Sequence, residues 1–240
     1  MIRLKNVTKS YNSDVLAVDD LDFVVNDGEI VGFIGPNGAG KTTTLKMMTG
    51  ILKPDSGEIY INSYDMLKEP IKAKREIGYI SDSPDMFLRL KGIEYINLIA
   101  DIYNVSTKDR KKRIKELAKR FGLENILSEQ MQSYSHGMRQ KIQVMAALVH
   151  NPAVWILDEP LIGLDPKSAF AFKKMMREHA DLGNSVLFST HVLEIAEKVC
   201  DRIIIINHGK MIFYGTFEEL KQKYKKQDLE KIFLEMTNYE

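Results

Sequence analysis

Four short stretches of this chain each hold an unbroken apolar run: EIVGFIG (29–35), VWILDE (154–159), SVLFST (185–190) and DRIIIIN (201–207). A strand with one wet face alternates apolar and polar residues. An unbroken apolar run of this length is a strand covered on both faces, which predicts a largely parallel sheet sandwiched by helices. NHGK (207–210) reads as a turn, and MIFYG after it returns as a hairpin partner. MIRLKNVTKSY and AVDDLDFVVNDGE near the start read as edge strands of an antiparallel layer. In KPDSGEIYIN a proline-led turn precedes a further strand.

The pattern changes between about residues 84 and 150, where helical spacing dominates and no strong strand is found. Ser106, with Asp109 three positions on, opens a helix with a capping-box pattern. Ile114, Leu117, Ala118 and Phe121 share one face of it. The basic run Lys111, Lys112, Arg113 and Lys115 falls on the other and reads as a solvated surface. The chain is thus expected to be one domain: an α/β core over 1–83 and 151–220, a helical subdomain over 84–150, and a C-terminal extension over 221–240. In the extension, LEKIFLEM suggests a short extra helix.

Composition refines this picture only slightly. With 240 residues, 44% hydrophobic and 28% charged, the chain can bury a real core. A net charge of +1 gives no electrostatic argument for a nucleic-acid partner. Cys200 stands alone, cannot form an internal disulfide and reads as a small buried hydrophobe. The first residues lack the apolar block of a signal peptide, and no segment reaches the ~20 apolar residues of a membrane helix.

The chemistry starts where the first apolar strand ends. Gly35-Pro36-Asn37-Gly38-Ala39-Gly40-Lys41-Thr42 has the spacing G-x-x-x-x-G-K-[ST], and a helix follows in which Leu45 and Met48 share an apolar face and Gly50 marks the stop. Glycines let the backbone curl so that successive N–H groups face an anion, and the helix N-terminus adds partial positive charge. Lys41 brings a full charge to the β- and γ-phosphates of a nucleoside triphosphate, and Thr42 offers a hydroxyl to Mg²⁺. In VWILDEP two carboxylates stand at a strand end. Asp158, at the tip of a strand beside the loop, is suited to Mg²⁺ through water. Glu159, directed elsewhere by strand alternation, is suited to polarise an attacking water. His191, in STH at the end of the next apolar strand, would sit on the same rim, near the γ-phosphate or that water.

Taken in order, the phosphate loop, GYIS (78–81), YSHGM (134–138), ILDEP (156–160), GLD (163–165) and STH (189–191) resemble the nucleotide-binding subunit of ATP-binding cassette (ABC) transporters over about residues 1–220. The resemblance implies a P-loop NTPase core with an antiparallel β layer and an inserted helical subdomain, and ATP hydrolysis with Mg²⁺. By position, Tyr11 is similar to the aromatic that stacks on adenine, Thr43 completes the nucleotide contacts of the loop, and Asp82 takes the place of a usual glutamine near the metal. Asp165 is similar to the family's inter-subunit aspartate. Read on its own, Asp165-Pro166 is an N-cap with proline at the first helical position.

Ser135 and Gly137 occupy the signature position, where His136 replaces a usual glycine and Met138 a usual glutamine. As local sequence, SHG is a helix N-terminus with a hydroxyl cap. The resemblance implies more: that it closes over ATP held by the other subunit of a homo- or heterodimeric head-to-tail pair. YS-x-GM looks like the branch serving drug, antibiotic, lipid or polysaccharide export. The implied protein is an ATPase subunit on the cytoplasmic face of the cell membrane, powering a separate integral membrane permease that docks near SDSPDMFLRL, at Met86, Phe87 and Leu88. An ABC-type ATPase driving cofactor assembly or remodelling of a soluble complex, and a module that senses ATP without turnover, remain open alternatives. Retention of Glu159 and His191 argues against the last.

Overall fold

The structure is a computed structural model that describes residues 1–12, 15–82, 87–224 and 228–237, the side chain of Asn12 excepted. Two sheets and a set of helices form its layers. The larger sheet has six strands in the order β10-β9-β3-β8-β7-β6: β3 (Ile30–Ile34), β6 (Ile77–Ile80), β7 (Val154–Leu157), β8 (Ser185–Thr190), β9 (Arg202–Asn207) and β10 (Lys210–Gly215). All neighbours are parallel except the β9–β10 hairpin. The four apolar runs are its four middle strands.

Their lack of alternation has a direct structural cause. On one face Ile30, Ile34, Trp155, Leu157, Val186, Phe188, Ile203 and Ile205 pack against helices. On the other, Val31, Phe33, Val154, Ile156, Leu187, Ile204 and Ile206 pack under the second sheet. Both pleat faces are dry, so both sets of positions must be apolar.

That second sheet is antiparallel, in the order β2-β1-β4-β5: β1 (Ile2–Asn12), β2 (Val15–Val25), β4 (Ser56–Ile61) and β5 (Tyr64–Asp65). The sequence places both N-terminal strands at edges, and the structure corrects this for β1, which lies between β2 and β4. Ile2, Leu4 and Val7 of β1 are fully buried beneath it.

Helix α1 (Lys41–Met48) follows β3 and α2 (Pro70–Arg75) follows β5. Then α3 (Gly92–Ile102), α4 (Thr107–Phe121) and α5 (His136–Leu148) come in succession, as the helical spacing predicts. Ser106 caps α4 by accepting from the Asp109 N–H, and its own hydroxyl donates to the Asp109 carboxylate. The face predicted for α4, Ile114, Leu117, Ala118 and Phe121, is the buried one. After the core resumes come α6 (Pro166–Asp181), α7 (Leu193–Val199), α8 (Phe217–Lys223) and α9 (Leu229–Thr237). Helix α8 runs through position 220, and α9 docks by burying Ile232 while the Asn207 amide donates to the Thr237 carbonyl at 3.1 Å. Among the described residues no helix is long and apolar enough to cross a membrane.

Candidate functional site

Parallel strands present all their C-terminal ends on one rim, and ligands of such sheets bind there. Here β3 ends in Ile34 before Gly35, β8 in Thr190 before His191, β7 in Leu157 before Asp158 and Glu159, and β6 in Ile80 before Asp82. The sequence sets the carboxylate strand beside the phosphate loop. In the structure β8 lies between β3 and β7, yet Lys41 and Thr42 at the start of α1 still reach the carboxylates, Lys41 standing 3.8 Å from Glu159 and the Thr42 hydroxyl acting on Asp158.

The loop is held from outside by backbone. A Cβ on Gly35 would lie 2.5 Å from the Ile206 carbonyl oxygen. Gly40, at φ 104°, would push a Cβ to 2.3 Å from the Ala17 carbonyl oxygen. Only glycine meets both the conformation and the close approach. The Gly209 N–H donates to the Ala39 carbonyl at 2.9 Å, and Ala39 to the Pro36 carbonyl at 3.2 Å. Gly38 has φ 81° with open space beside it, and Asn37 is exposed at the turn.

Lys41 begins α1 and is buried, with 6% of its surface exposed. Its ammonium donates to the carbonyls of Gly35 at 2.7 Å and Pro36 at 3.1 Å. It also lies 3.8 Å from Glu159 Oε1. Burial lowers its pKa, and the charges of Glu159 and Asp158 act against that. Tyr11 is 61% exposed at the end of β1, with its hydroxyl 3.3 Å from Thr43 Oγ1. The structure thereby brings to the loop an aromatic that its local sequence does not single out.

Asp158 is 1% exposed. The Ser189 hydroxyl donates to its Oδ1 at 2.6 Å, while Oδ2 has no hydrogen-bond partner. Burial raises the Asp158 pKa; the hydroxyls of Ser189 and Thr42 lower it, and Asp82 and Glu159 raise it further. Thr42 is therefore close enough to act on the carboxyl without completing a bond to Oδ2. Asp82 is exposed and faces the same rim electrostatically.

Glu159 lies in the site for a different reason from the one its sequence suggests. It is not a strand residue obeying alternation: β7 ends at Leu157, and Glu159 turns at φ 47°, a conformation rare outside glycine, asparagine and aspartate. Its N–H donates to Ser189 Oγ at 2.9 Å. Its Oε1 is 3.1 Å from His191 Nδ1, so an Nδ1–H donates to the carboxylate, and Oε2 is buried without a partner. Lys41, Glu159 and His191 therefore form a short chain of contacts beside Asp158.

The signature segment stands elsewhere. Ser135 caps α5, its Oγ accepting from the Met138 N–H at 3.3 Å. A Cβ on Gly137 would meet the Gly163 carbonyl oxygen at 3.5 Å, and the His136 ring packs over Gly163, where a Cβ would lie 2.9 Å from His136 Cδ2. Buried Gln140 donates to the Pro160 carbonyl at 2.6 Å. Asp165 caps α6, with Pro166 at its first position, accepting from the Ser168 N–H at 2.9 Å and from the Ser168 hydroxyl, the bond that most lowers its pKa. Lys141 stands 3.8 Å from Asp165 Oδ2. So α5 is tied to residues 160–165 by contacts that local sequence does not reveal. Of the expected docking residues, Phe87 is exposed and stacks on Tyr95 at 5.6 Å, Leu88 is half-buried, and Met86 lies outside the described residues.

Known proteins resemble this chain in sequence and fold. Residues 18–162 match the sequence profile of the family described as ABC transporter. The ABC transporter ATP-binding protein NatA of Bacillus subtilis is 33% identical over 98% of this chain and 97% of its own length. The lipopolysaccharide export system ATP-binding protein LptB of Escherichia coli is 38% identical over 91% of each. A solved ATP-binding subunit of an ABC transporter superposes with a TM-score of 0.93 at 33% identity, covering 98% of this chain and 99% of the other. A dimeric post-hydrolysis state of the cassette MJ0796, bound to ADP and Pi, superposes with a TM-score of 0.82 at 28% identity over 90% and 98%. A phosphate loop and a carboxylate pair on one rim, in a chain related along nearly its whole length to ATP-binding subunits, place this protein in the ABC transporter family, as an ATP-binding and ATP-hydrolysing cassette.

Proposed function

We propose that this cassette drives a separate membrane-spanning partner, in the direction of export, by clamping and releasing ATP between two copies of the fold or between this chain and a second, similar subunit. The observation that carries the catalytic half is the convergence of Lys41, Asp158, Glu159 and His191 on one rim. In this reading residues 35–43 hold the phosphates and Tyr11 faces the base. Glu159 takes the proton of the attacking water, and His191 holds the Glu159 carboxylate in place through Nδ1.

The donor set suits Mg²⁺. Asp158 offers a buried oxygen with no partner, next to the Thr42 hydroxyl, with the Asp82 carboxylate on the same rim. Mg²⁺ takes hard oxygen ligands, usually one or two from protein and the rest from phosphate and water. Bound there it would neutralise charge on the β- and γ-phosphates.

The two-subunit clamp is supported by the exposure of Ser135 as the N-cap of α5, with Gly137 set beside Gly163 in the first turn. Dimeric MJ0796 cassettes support it too. Export is supported by the relatives named for lipopolysaccharide export and for doxorubicin resistance. We take residues 84–150 as the helical subdomain, with the permease docking by Phe87 and Leu88, at the cytoplasmic face of the membrane.

Glu159→Gln tests the scheme: turnover should fall by about 10²–10⁴-fold, and the variant should dimerise with MgATP. A tagged chain should also bring a multi-span membrane protein from detergent extracts. A Glu159→Gln variant with wild-type turnover removes Glu159 from the mechanism. Capture of a soluble partner in place of a membrane protein overturns the transport reading.

A further inference from the structure

We infer that Ser189 is a positioning residue for hydrolysis, one buried hydroxyl that sets both the Asp158 carboxylate and the Glu159 turn; this rests on the assignment of Glu159 proposed above. Its place follows from register. Leu157 of β7 pairs with Phe188 of β8, so the next residues along the parallel ladder, Asp158 and Ser189, are level and share a face. Ser189 is fully buried.

A hydroxyl has one proton to give and two lone pairs to offer. At Ser189 both directions are used. The proton goes to Asp158 Oδ1 at 2.6 Å, the length of a charge-assisted bond. A lone pair accepts the Glu159 N–H at 2.9 Å. The second bond matters because Glu159 stands at φ 47°. A non-glycine residue in that region persists only where its surroundings over-determine it. Fixing the Glu159 amide fixes the start of its side chain, whose Oε1 then meets His191 Nδ1 at 3.1 Å and lies 3.8 Å from Lys41 Nζ. Without the hydroxyl, Asp158 loses the partner of Oδ1 while its Oδ2 already has none, and the Glu159 amide is left to turn. The hydrogen bonds of the Ser189 hydroxyl go to Asp158 and Glu159, so its effect falls on the chemical step more than on ATP capture.

The test compares Ser189→Thr with Ser189→Val in the full chain. Both add the same methyl group, and only threonine keeps the hydroxyl, so any steric cost cancels between them. Ser189→Ala, which adds no bulk, provides the third variant, and Glu159→Gln is measured alongside. Steady-state ATP turnover gives kcat and KM, and thermal unfolding reports folding. We expect the valine and alanine variants to lose about 10–100-fold in kcat against threonine, with KM for ATP changed by less than about threefold and the valine variant folded but melting below the threonine one, since Asp158 and the Glu159 N–H lose their partner. Equal kcat in the threonine and valine variants, with Glu159→Gln still slow, overturns the role of Ser189. Wild-type turnover in Glu159→Gln would instead bring down the site assignment beneath it.

Discussion

Acidification to about pH 5 should weaken the folded chain through His150, and substitution of this residue should remove that part of the loss. His150 follows α5 and reaches back to the sheet: its Nε2–H donates to the Ile77 carbonyl at 3.0 Å, and its ring stacks on Tyr103 with centroids 3.7 Å apart. It therefore joins the helices to β6. Burial lowers its pKa from 6.5 to about 4, the hydrogen bond to Ile77 opposes this, and the charge of Arg113 adds to it. The unfolded chain accepts a proton near 6.5 and the folded chain refuses it until about 4. The unfolded state thus binds more protons in that window, and stability, fully present above 6.5, is lost as the pH falls toward about 4. The whole interval is worth about 3 kcal/mol, of which about 2 kcal/mol is gone by about pH 5. His179, also lowered to about 4 by burial and set edge-on to Trp155 at 5.6 Å, adds a similar loss that a change at His150 leaves in place. His150→Gln keeps an N–H for Ile77 and does not titrate. Urea unfolding of both proteins at about pH 7.5 and about pH 5 should show the wild type losing about 2 kcal/mol more than the variant. Parallel losses would refute the reasoning.

Gly40→Ala should be destabilised by about 3 kcal/mol or more in thermal unfolding, since the new Cβ meets the Ala17 carbonyl at 2.3 Å in a left-handed conformation. A melting temperature within error of wild type would show that β2 does not clamp the loop. Gln140→Leu should cost about 1–3 kcal/mol in urea unfolding by leaving the Pro160 carbonyl unpaired. The same variant should also slow ATP turnover, because residue 160 follows Glu159. Unchanged turnover would mean that α5 does not support the Glu159 turn.

Much of the site was legible because its determinants are local. The phosphate loop needs only glycines, lysine and threonine at set spacing before a helix, and Gly35 to Thr42 supply them. The caps at Ser106, Ser135 and Asp165 are interactions across three residues, and each formed as its sequence indicates. Tyr11 was legible only through family resemblance, since its neighbour Thr43 is 32 positions away along the chain. Ser189 stood in plain view within STH, yet its role needed the pairing of β7 with β8, which no local pattern encodes. For Glu159 the sequence suggests a direction set by strand alternation, and the structure shows instead a turn at positive φ just beyond the strand.

By itself the sequence determined that four strands are covered on both faces, where helices begin, and which loop can wrap a phosphate. These depend on contacts between near neighbours and on how water treats an apolar run. Tertiary structure alone decided that β1 lies inside its sheet and that β8 lies between the strand of the loop and the strand of the carboxylates. It also decided that Ser189 stands level with Asp158 and that α5 grips residues 160–165. Each of those outcomes is a choice among distant segments of similar apolar character. Such segments are told apart only by how their side chains fill the space between layers.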